Sequence, residues 1–309
     1  MTPLHIRTPL LESRPLSALA GVEVRLKLEC VQPTGSFKIR GLGLACQLSH
    51  AAGSSALVAS SGGNAGLAVA YAGRQLNLPV TIVVPKTTPT FMQDRLRSLG
   101  ASVLQYGAAW DESHERAQEI AARSGAAYIH PFDDPRIWDG HASVIHEVRE
   151  QGFTPGAVVT VVGGGGLLCG VLQGLHDVGW NRVPVVTVET RGASSFAQSV
   201  RAGKRITLDR IDSIATSLGA RTVCQRALDW TREHEVVAHT IEDRSAVQAV
   251  LRFADDHRLL VEPACSAALA AVYDKLAGID AHGSLLVIVC GGAGVTLELV
   301  EKWKSQIGA

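Results

Sequence analysis

Three segments of the chain combine glycine with residue types suited to holding anions, and a fourth carries an amine able to attack a carbonyl group. Ser60-Ser61-Gly62-Gly63-Asn64-Ala65-Gly66, Gly163-Gly164-Gly165-Gly166-Leu167 and Cys290-Gly291-Gly292-Ala293-Gly294 each follow a short β-rich run and precede a helical one. Backbone amides at such a turn, unobstructed by Cβ atoms and backed by the positive end of a helix, suit a carboxylate or a phosphate. A tight turn needing positive φ explains any one loop equally well, but four consecutive glycines exceed what a turn requires. The fourth segment is Pro33-Thr34-Gly35-Ser36-Phe37-Lys38-Ile39-Arg40-Gly41. It places Lys38 in the opening turn of an expected helix, with Ser36 as the N-cap. A cation there opposes the helix dipole, which lowers the amine's pKa and suits a lysine that must be neutral to form a Schiff base.

Elements that would position these residues alternate along the chain. Strands are expected at 24–28, 57–59, 80–84, 103–105, 128–130, 158–162, 185–188 and 286–289, several of them unbroken Val/Ile/Leu runs. Such runs belong to sheets covered on both faces. Helices are expected at 64–76, 111–124, 167–178 and 295–304, among others. The rhythm predicts an α/β architecture with mainly parallel strands and ligands at the strands' carboxyl ends.

Composition narrows the function. The 309 residues hold 29 Lys plus Arg against 29 Asp plus Glu, so the electrostatic footprint of a nucleic-acid binder is missing. The length predicts about two domains and a large core. No apolar run is long enough for a membrane span, and the first residues lack a secretory pattern. The six cysteines are widely spaced without a Cys-x-x-Cys pair, which predicts reduced core residues in a cytoplasmic protein and argues against a zinc site. Gly-x-Gly-x-x-Gly fails at each loop, no Walker sequence occurs, and Gly-x-Ser-x-Gly is absent. A small phosphate-bearing cofactor remains.

With these motifs assembled, the chain resembles the fold-type-II pyridoxal-phosphate-dependent enzymes, and within them the serine dehydratase group. The resemblance runs nearly end to end. It rests on the lysine motif, the three glycine loops, Pro131-Phe132-Asp133-Asp134-Pro135 and Val261-Glu262-Pro263-Ala264-Cys265. It implies a tryptophan synthase β-like fold of two open, twisted, mainly parallel sheets with helices on both faces. A large cofactor-binding domain would comprise 1–36 and 135–309, with a small domain, 37–134, inserted in it. Lys38 would carry pyridoxal 5'-phosphate as a Schiff base and take the substrate's α-proton. Phe37 would pack on the ring, Asn64 would meet the ring's 3-hydroxyl, and Cys290 would face the pyridine nitrogen. Gly163, Gly164, Gly165, Gly166 and Leu167 would hold the phosphate. Ser61, Gly62, Gly63, Asn64 and Ala65 would bind the substrate carboxylate.

The same resemblance implies a potassium site made of Glu189 and the carbonyls of Ala193, Leu218 and Ala220. It also implies a homodimer acting on a small amino acid: L-serine to pyruvate and ammonia, and L-threonine to 2-oxobutanoate. β-Replacement by a thiol, or a catalytically idle amino-acid or cofactor carrier, are the competing expectations. Three features depart from relatives. Asn64-Ala65 stands where racemases and biosynthetic threonine dehydratases carry Asn-His. Gly62 replaces the alanine of close serine dehydratases, or the serine that racemases use as a second base, and is expected to loosen the loop and enlarge the pocket. Ala293-Gly294 replaces Ser-Asn. Because the sequence ends soon after the last expected helix, no effector domain is expected there.

Overall fold

A computed structural model describes residues 1–276 and 278–308. The chain begins β1 (Leu10–Glu12), α1 (Arg14–Ala20), β2 (Glu23–Leu28), α2 (Lys38–Ala51), β3 (Leu57–Ala59), α3 (Asn64–Leu76), β4 (Val80–Val84) and α4 (Thr90–Ser98). It continues with β5 (Ser102–Gln105), α5 (Trp110–Ser124), β6 (Ala127–Tyr128), α6 (Pro135–Glu150), β7 (Ala157–Val161), α7 (Gly166–Asp177) and β8 (Val185–Thr190). The last elements are α8 (Ser195–Ala202), α9 (Gln225–Glu233), β9 (Val236–Ile241), α10 (Asp243–His257), α11 (Pro263–Tyr273), β10 (Ser284–Val289) and α12 (Leu297–Ile307).

Two sheets result. One has six strands in the order β1-β2-β10-β7-β8-β9, and the other four in the order β5-β4-β3-β6. Every pairing is parallel except β1 with β2. The central strands β7 and β8 are buried at every residue, as the unbroken valine runs predict for a sheet covered on both sides. Helix α11 is buried over its whole length, which its Ala-rich sequence permits by having no polar face to solvate. Because β10 and β7 are neighbours, their carboxyl ends set the loops at 290 and 163 side by side.

Helix α6 ties the lysine's helix to the phosphate loop's helix. Its start is fixed by Asp134, whose carboxylate accepts from the Arg136 amide at 2.9 Å, with Pro135 in the first turn. Glycines let the three helices approach closely: a Cβ at Gly140 would stand 2.4 Å from the Arg40 carbonyl, and one at Gly170 would stand 2.3 Å from the His141 Cβ. His141 Nδ1 in turn accepts from the Gly41 amide at 3.2 Å, satisfying one of the donors left free by the opening of α2.

Two residues beyond Lys38, Arg40 is locked in a buried ion cluster. Its guanidinium reaches Glu29 at 2.6 and 2.8 Å and Glu147 at 2.7 and 2.8 Å, while Lys27 Nζ lies 2.7 Å from Glu147. The four charges balance and are all nearly out of reach of water, so removal of one leaves an uncompensated buried charge. Arg40→Met should therefore lower the unfolding free energy by about 3–5 kcal/mol. Urea titrations of the two proteins, followed by circular dichroism, measure it.

Candidate active site

The carboxyl ends of β3, β7 and β10 and the start of α2 converge through hydrogen bonds. Lys38 opens α2, and its Nζ donates to the Pro131 carbonyl at 2.7 Å. Burial pushes the amine down to about 8, against a smaller opposing effect from Cys290. Phe37 lies beside it, the amine 5.2 Å from the ring centroid. The expected N-cap is corrected: Phe37 itself occupies that position, without a side-chain cap. Ser36 is instead drawn into an antiparallel bridge with Gly291, its hydroxyl buried and unpartnered. The chain of Ser36 and Gly35 thus competes successfully for the role a cap would have required. Phe37 N donates to Cys290 O at 2.9 Å and Gly292 N to Gly35 O at 3.0 Å, so the loop after β10 uses one carbonyl and one amide to seat the lysine segment.

The glycine tetrad forms a cradle against Phe132. A Cβ at Gly164 would lie 2.2 Å from the Phe132 ring, one at Gly166 would lie 2.8 Å from the Phe132 carbonyl, and one at Gly163 would lie 3.1 Å from the Ser217 carbonyl. Gly165 is the N-cap of α7 at φ +94°, a conformation that strains any residue with a side chain. The opening amides of α7, from Gly166 and Leu167, have no intrahelical acceptors and no side-chain cap. Such a surface matches a phosphate group.

The loop after β3 leads into α3, with Asn64 as its first residue and Gly63 as its N-cap. Within it, the Gly63 amide donates to Ser61 Oγ at 3.3 Å. Ala65 is buried in the core below. The expected enlargement at Gly62 is not found. Thr88, from the turn after β4, fills the direction a side chain would take, its Cγ2 2.5 Å and its Oγ1 2.8 Å from an ideal Cβ. Asn64 Nδ2 donates to Glu262 at 3.1 and 3.3 Å, while Asn64 Oδ1 is buried without a partner. Cys290 is 7 % exposed. Cys265 lies against it, its thiol pushed well up by burial and then by Cys290.

Glu262 is the residue that sequence reasoning left without a role. Its carboxylate accepts from Asn64, from Ser217 Oγ at 2.5 Å and from the Gly294 amide at 2.7 Å, joining the start of α3, the segment at 217 and the loop after β10. The close approach of Gly294 to that carboxylate also accounts for glycine at this departure from Ser-Asn. Pro131, Phe132 and Glu262 all lie in segments whose likeness to relatives is visible in the sequence. Thr88 and Ser217 had no such signal.

At the expected cation site, Glu189 is the penultimate residue of β8, 1 % exposed, and accepts from the amides of Phe196 and Ala197 at 3.0 and 2.7 Å. Burial raises its pKa to about 8, with no basic side chain paired to it among the described residues. Ala193 and Leu218 are buried, and the Leu218 carbonyl accepts from the Ala220 amide at 2.8 Å. The cysteines are all free, and no helix among the described residues is long and apolar enough to cross a membrane.

The tetrad's cradle, the orphaned Asn64 Oδ1 and the lowered pKa of the Lys38 amine fit pyridoxal phosphate: an anion, a ring hydroxyl and a carbonyl. Comparison with known proteins points the same way. The family model for pyridoxal-phosphate dependent enzymes matches residues 1–291. A mouse protein named serine dehydratase-like is 51% identical over 315 residues, covering 99% of this chain and 96% of its own. The human L-serine dehydratase/L-threonine deaminase is 48% identical, with 99% and 96% covered. Among solved structures, a fungal L-serine ammonia-lyase from Rhizomucor miehei superposes with a TM-score of 0.94 at 35% identity, covering 99% of this chain and all of that one.

Proposed function

Because the chain belongs to the pyridoxal-phosphate-dependent enzyme family, we propose that it eliminates water from L-serine, yielding pyruvate and ammonia, and acts likewise on L-threonine to give 2-oxobutanoate. The observation that carries this reading is the Lys38 amine, its pKa lowered by burial, held beside a phosphate cradle and a helix-terminal loop in one connected site. When bound, pyridoxal phosphate supplies the conjugated ring that accepts the electron pair left at the substrate's Cα. The tetrad, Phe37 and Asn64 hold and orient it. Ser61, Gly62, Gly63, Asn64 and Ala65 receive the substrate carboxylate at the start of α3. Lys38 Nζ, made easier to deprotonate by burial, takes the α-proton, and a proton delivered in turn to the β-hydroxyl lets the Cβ–O bond break with loss of water. The enamine released hydrolyses in solvent to the keto acid and ammonia. Cys290 offers the ring nitrogen a thiol instead of a carboxylate. That leaves the electron sink weak and favours departure of the hydroxyl over a long-lived carbanion. Gly62 has no side chain to serve as a second base, which weighs against racemisation.

Residues 37–134 move as an inserted unit that closes on the substrate and excludes water. Glu189, with the carbonyls of Ala193, Leu218 and Ala220, holds potassium, a charge that would let the buried carboxylate ionise below its raised pKa. The protein works as a homodimer in the cytoplasm, where its free cysteines would stay reduced. The test is an assay of the cofactor-loaded protein with L-serine, L-threonine and D-serine in parallel, in potassium and in tetramethylammonium. Keto acid from both L-amino acids, with activity lost in tetramethylammonium, is expected. Its absence from L-serine refutes the function, and equal rates in the two cations refute the potassium site. A new amino acid formed when a thiol is added would favour β-replacement.

A further inference from the structure

Ser60, the residue at which β3 gives way to the carboxylate loop, is held from both sides by rings outside that loop. Its hydroxyl lies 2.8 Å from Tyr128 OH, and Tyr128 OH lies 2.6 Å from His114 Nδ1. Its carbonyl accepts from Trp110 Nε1 at 2.5 Å. Trp110 and His114 stack on one another, centroids 4.7 Å apart, on consecutive turns of α5. Tyr128 ends β6, so a strand of the small sheet and helix α5 converge on one buried serine. In the polar chain from Ser60 through Tyr128 to His114, the Tyr128 hydroxyl is engaged on both sides and the Ser60 hydroxyl is held by Tyr128. By contrast, the loop it precedes contains two adjacent glycines and a single internal hydrogen bond.

We infer that Tyr128, His114 and Trp110 are positioning residues for the carboxylate loop: acting through Ser60, they order its amides before the amino acid arrives. The inference rests on the assignment of that loop to the substrate carboxylate. Ordering a backbone costs about 1–2 kcal/mol per residue, and a loop rich in glycine pays the most. If this cost is met in the folded protein by the Ser60 anchor, it is not charged to substrate binding. Loss of the anchor then appears in KM and leaves kcat and cofactor capture alone, since Lys38, Asn64 and the tetrad are held by Pro131, Glu262 and Phe132 instead.

The test compares Tyr128→Phe, Ser60→Ala and the double variant with the parent, all loaded with pyridoxal phosphate. Tyr128→Phe should raise KM for L-serine by about 5–15-fold, the effect of a lost buried hydrogen bond. The same variant should leave kcat within about twofold and the cofactor absorbance unaltered, in contrast with a general loss of structure. Since both single changes cut the same chain, the double variant should be no worse than the more damaging of them. Hydrogen exchange at the amides of 61–65, measured without substrate, should accelerate in each variant. Unchanged KM with unchanged exchange overturns the inference, as do multiplying effects of the two substitutions or a fall confined to kcat. If the parent itself makes no keto acid, the functional reading fails separately. Exchange at 61–65 and L-serine affinity, read from the cofactor's absorbance, then decide the anchor's role.

Discussion

Lys38→Ala should abolish turnover of L-serine, lowering kcat by at least about 10⁴-fold, because in the proposed site one amine is both the covalent anchor and the base. The loss should be accompanied by disappearance of the visible absorption of the lysine–cofactor bond, while the phosphate cradle still binds the cofactor non-covalently. The geometry explains the size of the effect. Lys38 Nζ is fixed by the Pro131 carbonyl, and among the described residues the groups around it are carbonyls, rings and thiols, not a second amine. In the parent, burial lowers the pKa to about 8. Covalent capture of the cofactor should accordingly accelerate as pH rises from about 6.5 to 8.5, while the amine loses its proton, and then level off. Stopped-flow absorbance of the cofactor-free protein mixed with pyridoxal phosphate measures this. Pyruvate production by Lys38→Ala would remove the lysine from its role.

Gly164→Ala should weaken pyridoxal phosphate binding by about 10–100-fold, the equivalent of overpacking a closed site by 1–3 kcal/mol. The added Cβ would stand within 2.5 Å of three carbons of the Phe132 ring. That ring cannot swing away freely. It packs edge-on against His130 at 4.7 Å, and its carbonyl accepts from Trp138 Nε1 at 2.8 Å. Displacing Phe132 also moves Pro131, whose carbonyl holds the lysine, so the damage reaches both ends of the cofactor. Phe132→Leu introduced alongside should restore part of the affinity by giving the new methyl group room. Titration of the cofactor-free proteins with pyridoxal phosphate separates the outcomes. Unaltered affinity in Gly164→Ala would show that the tetrad is no cradle.

The parts of this site legible in the sequence are contiguous ones. A run such as Gly163-Gly164-Gly165-Gly166 advertises backbone amides at a strand end, and the valine runs before it and after it reveal the parallel sheet that aims them. What the sequence conceals is chemistry assembled across distance. Glu262 gains its place only when α3, the segment at 217 and the loop at 294 meet on its two oxygens. Arg40 lies within the lysine motif, yet its partners Glu29 and Glu147 belong to other elements, and a charged trio spaced so widely reads as surface. The pocket at Gly62 was misjudged for the same reason. An absent side chain leaves a space only if no neighbour enters it, and Thr88 does. Ser36 illustrates the converse, a good local cap overruled by a pairing with a strand's exit 255 positions later in the chain.

Whether this arrangement removes water from L-serine is decided by incubating the purified, cofactor-loaded protein with L-serine and quantifying pyruvate, ammonia and D-serine together. Pyruvate and ammonia should form in equal amounts, with no accumulation of D-serine. Accumulation of D-serine without keto acid, or no product from a protein whose lysine carries the cofactor, would contradict this reading.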